Sequence, residues 1–134
     1  MKRIDFIRSL AISLTGMTLF PQIIISDEKQ RKPVLLEHFY IAGYCYYDGE
    51  KVEHQLKVSD NLRIKREKDN PHDGKAISLW HNGHKLGFVP RHKNSTLAKL
   101  LDQKIEIKAV INKIYPDASP WKRIFVDIVT NKLG

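Results

Sequence analysis

The chain has 134 residues, 42% apolar and 28% charged, with a single cysteine. That suits one globular domain and excludes whole-chain disorder, a large multidomain enzyme and a disulfide-stapled scaffold. Lys and Arg outnumber Asp and Glu by 23 to 15, and the net charge of +8 favours a polyanionic partner such as nucleic acid or an anionic membrane surface.

In chain order, residues 9–26 carry no charge and follow Lys2, Arg3 and Arg8. A basic stretch before an apolar one is the order of an export signal or membrane-anchor leader. The start also resembles a twin-arginine signal, with Ile4 where the second arginine would stand. Asp5 lies in the basic stretch, no small-x-small cleavage site follows, and Pro21 divides the apolar run. The alternative is an N-terminal helix packed on the domain of a cytoplasmic protein. We expect an exported or membrane-associated chain, with a leader over 1–26, a polar linker over 27–34 and the folded domain over 35–134. Residues 1–26 hold three of the basic residues and one of the acidic ones, so the rest keeps a net charge of +6.

Residues 36–47 are rich in aromatic and β-favouring types and predict a strand, ended by a turn at Asp48-Gly49. Residues 52–58 predict a second strand and Ser59-Asp60-Asn61 a turn. Leu62 and Ile64 alternate with Arg63 and Lys65, a half-buried strand. Pro71 and Gly74 make residues 69–74 a tight loop. Residues 76–80 and 85–89 predict a hairpin about Asn82-Gly83, stopped by Pro90. Ser95 or Thr96 is placed to cap a helix with Leu97, Leu100 and Leu101 on one face. Residues 105–109 and 124–128 alternate as two more strands, separated by a loop at 117–120. The expected fold is mainly β: a small OB-like barrel of about six strands, closed or nearly closed, with one or two flanking helices.

Little here suggests catalysis. His81 and His84 flank a turn without a cysteine pair and read as surface turn residues, not zinc ligands. Asp69, Asp73 and Gly74 mimic part of a calcium loop, but Pro71 and Trp80 stand where oxygen donors are needed. Asp69 and Asp73 alone do not make a metal-dependent nuclease. Cys45 reads as a buried, inert strand cysteine. No nucleophile elbow or phosphate-binding Gly-x-x-x-x-Gly-Lys loop occurs. We expect no enzyme activity, no metal and no cofactor. In the first strand, Tyr40, Tyr44 and Tyr46 share one parity and Phe39, Cys45 and Tyr47 the other. Only one parity fills a core, so some tyrosine faces outward, as a stacking platform for bases or as packing at a rim or interface.

Four segments in order, Phe39 to Gly49, Leu62 to Asp73, Lys75 to Leu79 and Lys85 to Arg91, resemble the HIRAN domain family over about residues 36–130. The resemblance implies an OB-type barrel that binds the 3′ end of single-stranded DNA. Some members are fused to remodeller ATPases and RING domains, and others are small bacterial stand-alone proteins. Carried over by motif, Tyr46 matches an aromatic that stacks a terminal base, with Tyr47 its neighbour. Asn70, His72 and Asp73 fall in the end-pocket loop, and Arg91 matches a basic residue that meets backbone phosphate. Asp73 would accept a hydrogen bond from a 3′-hydroxyl and repel a 3′-phosphate. Otherwise Asn70 and Asp73 merely bond the turn's own backbone. Cys45 stands where a helicase-fused member has arginine, and His72 where it has tyrosine. Two partner readings follow: a DNA-binding module, or an exported or membrane-tethered module that binds a protein, peptide or envelope polyanion.

Overall fold

The computed structural model describes residues 32–131. The expected leader, and with it the export reading, lies outside the described residues. The strands are β1 (Val34–Tyr40), β2 (Asn61–Glu67), β3 (Ala76–His81), β4 (His84–Phe88), β5 (Lys108–Ile114) and β6 (Ile124–Thr130). Two helices, α1 (Gly49–Val52) and α2 (Ser95–Asp102), and four 3₁₀ turns join them. The strands form one sheet in the order β1-β6-β5-β2-β3-β4, antiparallel throughout. This is the expected mainly β, OB-like architecture.

Strand pairing does not close the sheet. Its outer members meet just past the end of β1, where Ala42 and Phe88 exchange backbone hydrogen bonds of 2.8 and 2.9 Å. Gly87 makes that approach possible. It sits at φ 150°, and a Cβ there would collide with the Ala42 carbonyl oxygen. The core lies inside the curved sheet. Ile124, Val126 and Ile128 of β6, Ala109 and Ile111 of β5 and Leu62 of β2 are buried in alternation, as period-two patterning dictates. Leu97 of α2 is buried, and Leu100 and Leu101 pack on the same core from partly buried positions. The 81–84 hairpin turns at Asn82 and Gly83, both at positive φ.

Five expectations are corrected. The first strand ends at Tyr40, because Gly43 adopts a left-handed φ of 71° and sends residues 44–46 into a 3₁₀ turn. Cys45 is therefore exposed rather than buried in a strand. Residues 52–58 form the end of α1, a 3₁₀ turn at Glu53–Gln55 and an irregular stretch over 56–58, not a strand. Their buried apolar residues, Val52 and Leu56, are spaced i, i+4, which is helical spacing. The strand expected at 105–109 runs instead from Lys108 to Ile114. Residues 103–105 are still leaving α2, with Lys104 at φ 65° and the Ile105 N–H donating to Leu100 O. Neither Ser95 nor Thr96 caps α2: the residue before it is Asn94, which makes no side-chain cap bond and donates its Nδ2 to Asp73 instead.

Candidate nucleic-acid interface

The junction that nearly closes the sheet also builds a cleft. Ala42 and Tyr47 enter it from the segment after β1. Asn70, His72 and Asp73 enter from the β2–β3 loop, followed by Ala76 of β3. Phe88, Val89 and Arg91 complete it from the end of β4. The cleft has a volume of about 290 Å³. Five of the six sequence-predicted residues, Tyr47, Asn70, His72, Asp73 and Arg91, line it together. Tyr46 does not: it is 82% exposed, on a turn that packs against the 120–122 turn.

One wall is aromatic. Tyr47 meets Phe88 edge to face, with ring centroids 5.7 Å apart. The turn before Tyr47 is anchored by the buried Tyr44. The Tyr44 hydroxyl lies 2.8 Å from Glu53 Oε1 and 3.0 Å from Gly49 O, so its single proton is shared between two acceptors, and Arg123 Nη1 lies 3.2 Å from the same carboxylate oxygen. Burial first, and then the hydrogen bond to Glu53, push the Tyr44 hydroxyl pKa far up, so it stays a donor.

The facing wall is polar. Asn70 Oδ1 accepts the N–H groups of His72 (2.8 Å) and Asp73 (3.2 Å), an Asx-type turn. Asp73 Oδ1 accepts the Lys75 N–H (2.9 Å), and Oδ2 accepts Asn94 Nδ2 (2.9 Å). Arg91 Nε lies 3.7 Å from Asp73 Oδ2, and its Nη2 donates to His72 O at 2.7 Å. The Lys75 N–H, outweighing the cost of burial together with Asn94 and Arg91, holds the Asp73 carboxyl below its ordinary value of 3.8. An ionised carboxylate has about four acceptor sites, so the two hydrogen bonds leave Asp73 able to take another donor. The backbone-bonding reading of this loop therefore holds for both Asn70 and Asp73, and Asp73 keeps acceptor capacity beyond it.

Sequence reasoning missed Phe88, Asn94, Glu67 and Lys85. Phe88 sits inside the matched Lys85 to Arg91 segment and was legible there. Asn94 directly precedes the expected cap residues Ser95 and Thr96 and carries no signal of its own. The Glu67–Lys85 pair, at 3.2 Å, joins two strands that are not neighbours and has no sequence signal. Burial pushes the Glu67 carboxyl up, but hydrogen bonds from Ser78, Asn70 and Lys85 outweigh it, so it lies below its usual range.

A second cleft of about 410 Å³ shares Ala42 with the first. His38, Tyr40, Phe125 and Trp121 supply rings, and His92 and Lys93 supply basic groups. Tyr40 and His38 both meet Phe125 near edge to face, at 4.9 and 5.4 Å. Trp121 is 66% exposed. Of the two turn histidines expected at the surface, His84 is there, with Nδ1 3.1 Å from Asp48, whereas His81 is mostly buried, with Nε2 3.2 Å from Asp60. Among the described residues no three His, Cys, Asp or Glu side chains cluster as a metal site would require.

A sequence profile of the HIRAN domain matches residues 34–132. The chain belongs to the HIRAN domain family. No curated protein matches it as a relative. Among solved structures, this HIRAN chain is similar to a protein from Lactobacillus plantarum, with 25% identity and a TM-score of 0.63 over 73% of this chain and 94% of that one. It also shares its fold with the HIRAN domain of human HLTF, with 21% identity and a TM-score of 0.58 over 75% and 79% of the two chains.

Proposed function

We propose that this HIRAN domain binds single-stranded DNA by its 3′ end and does no chemistry on it. The observation that carries the reading is the Asp73 carboxylate, ionised and with acceptor capacity left, opposite the Tyr47–Phe88 wall in a cleft at the small end of ligand-site volumes, which run from about 300 Å³ upwards. The terminal base packs on Tyr47 and Phe88. The 3′-hydroxyl donates to Asp73, and Arg91 meets the adjacent phosphate. His72 adds a small ring, and Asn70 fixes the loop. The strand continues over Ala42 into the second cleft, where Trp121 and Tyr40 offer stacking surface. Tyr46, outside the end cleft, is left to stack a base further along the strand.

An aspartate is otherwise out of place on a DNA-binding surface, since it repels phosphate. A hydroxyl end gives it a donor to accept, and a phosphate end does not. Fluorescence anisotropy with the full chain tests this. The ligands are a short strand ending in 3′-hydroxyl, the same strand ending in 3′-phosphate, and a blunt duplex. Tightest binding to the hydroxyl strand supports the reading. Equal, salt-sensitive binding to all three overturns end recognition and leaves a generic basic surface.

A further inference from the structure

We propose that Glu67 and Lys85 form a positioning pair that couples the two walls of the end cleft and thereby sets its discrimination between strand ends. The inference rests on the end-binding reading above.

Neither residue lines the cleft, yet each touches what does. Lys85 Nζ sits 4.7 Å from the Tyr47 ring centroid and 4.3 Å from that of Phe88, so one ammonium fixes both aromatic rings. The same Nζ donates to Glu67 Oε2 at 3.2 Å. The other oxygen, Glu67 Oε1, accepts Asn70 Nδ2 at 3.2 Å. Asn70 in turn holds the backbone N–H groups of His72 and Asp73. An unbroken chain of contacts therefore runs from the stacking rings through Lys85, Glu67 and Asn70 to the loop that carries the Asp73 carboxylate.

Both partners are about one-fifth exposed, so their attraction is less screened than that of a surface pair. The Lys85 backbone joins in as well, its carbonyl accepting the Asp48 N–H beside Tyr47 at 2.9 Å. Reading a base face and a terminal hydroxyl together needs ring and carboxylate at a fixed separation, and small misplacements are costly. Binding along the strand without regard to its end has no such requirement.

The test uses the full chain and two ligands, a linear strand with a 3′-hydroxyl and the same sequence closed into a circle. Lys85→Met keeps the packing on the rings and removes the charge. Glu67→Gln keeps an acceptor for Asn70 and removes the ion pair. Each lowers the linear-over-circular affinity ratio by about tenfold, leaves circular binding unchanged, and the double variant is no worse than the worse single. Lys85→Arg restores most of the ratio. Should Lys85→Met lose its cooperative thermal melt, Glu67→Gln and Lys85→Arg still decide the matter. Equal loss on both ligands, an unchanged ratio or additive effects overturn the positioning role while the end-binding reading stands. A wild-type chain that does not distinguish line from circle removes both together.

Discussion

The two clefts meet at Ala42 but treat their polar groups differently. In the end cleft almost every polar side chain bonds another one: Asn70 with Glu67 and its own loop, Asp73 with Asn94 and Arg91. In the neighbouring cleft the rings of His38, Tyr40, Phe125 and Trp121 dominate, and Lys93 is drawn off to His38 O and Glu37. A network of satisfied polar groups is rigid and selective. Open rings offer area that any base can use. On the end-binding reading we propose, the first cleft discriminates and the second holds, which would separate specificity from affinity on one small domain.

The largest effect comes from separating the clefts at their common edge. Gly87→Ala forces a Cβ onto the Ala42 carbonyl at a φ that L-residues avoid. We expect a loss of about 3 kcal/mol in urea unfolding, with both clefts weakened. Next, Asp73→Asn keeps the shape and removes the charge. It should lower the preference for a 3′-hydroxyl over a 3′-phosphate by about tenfold, mostly by admitting the phosphate. Trp121→Ala strikes only the open cleft. It should cost about 1–2 kcal/mol of affinity for hydroxyl and phosphate strands alike, as titration with each would show.

Proton linkage sharpens the contrast further. The Asp73 pKa is depressed on folding, so its contribution is fully present above its unfolded value near 3.8 and is lost as pH falls through the lower, folded value. Affinity for the 3′-hydroxyl strand should therefore not fall through Asp73 until the pH drops below 3.8, whereas its margin over the 3′-phosphate strand narrows earlier, as that phosphate gains a proton near about pH 6; anisotropy with each strand across about pH 8 to 4 checks both. The smallest effect is on salt. Arg91, Lys93 and Lys85 each face an acidic partner within the protein. The slope of log K against log salt should be shallow, about −1 to −2, despite the charge of +8.

The sequence foreshadowed these regions unequally. Alternation in 124–128, the Asn82-Gly83 hairpin and the leucine face of α2 follow from local patterning, so they were legible. The stretch after β1 was not, because one left-handed glycine overrides a run of strand-favouring residues. That error bears on function: it is the 3₁₀ turn, not strand parity, that turns Tyr46 and Tyr47 outward while Tyr44 is buried. The loop residues Asn70, His72 and Asp73 were legible through an ordered motif. Their supports, Asn94 just before α2 and Lys85 from β4, come from distant segments, and only the fold brings them together.

The most direct measurement is the affinity of the full chain for one single strand prepared with a 3′-hydroxyl and with a 3′-phosphate at moderate salt. Recognition by Asp73 predicts about tenfold tighter binding of the hydroxyl strand, narrowed in Asp73→Asn. Equal affinities, or a tighter phosphate strand, would contradict it.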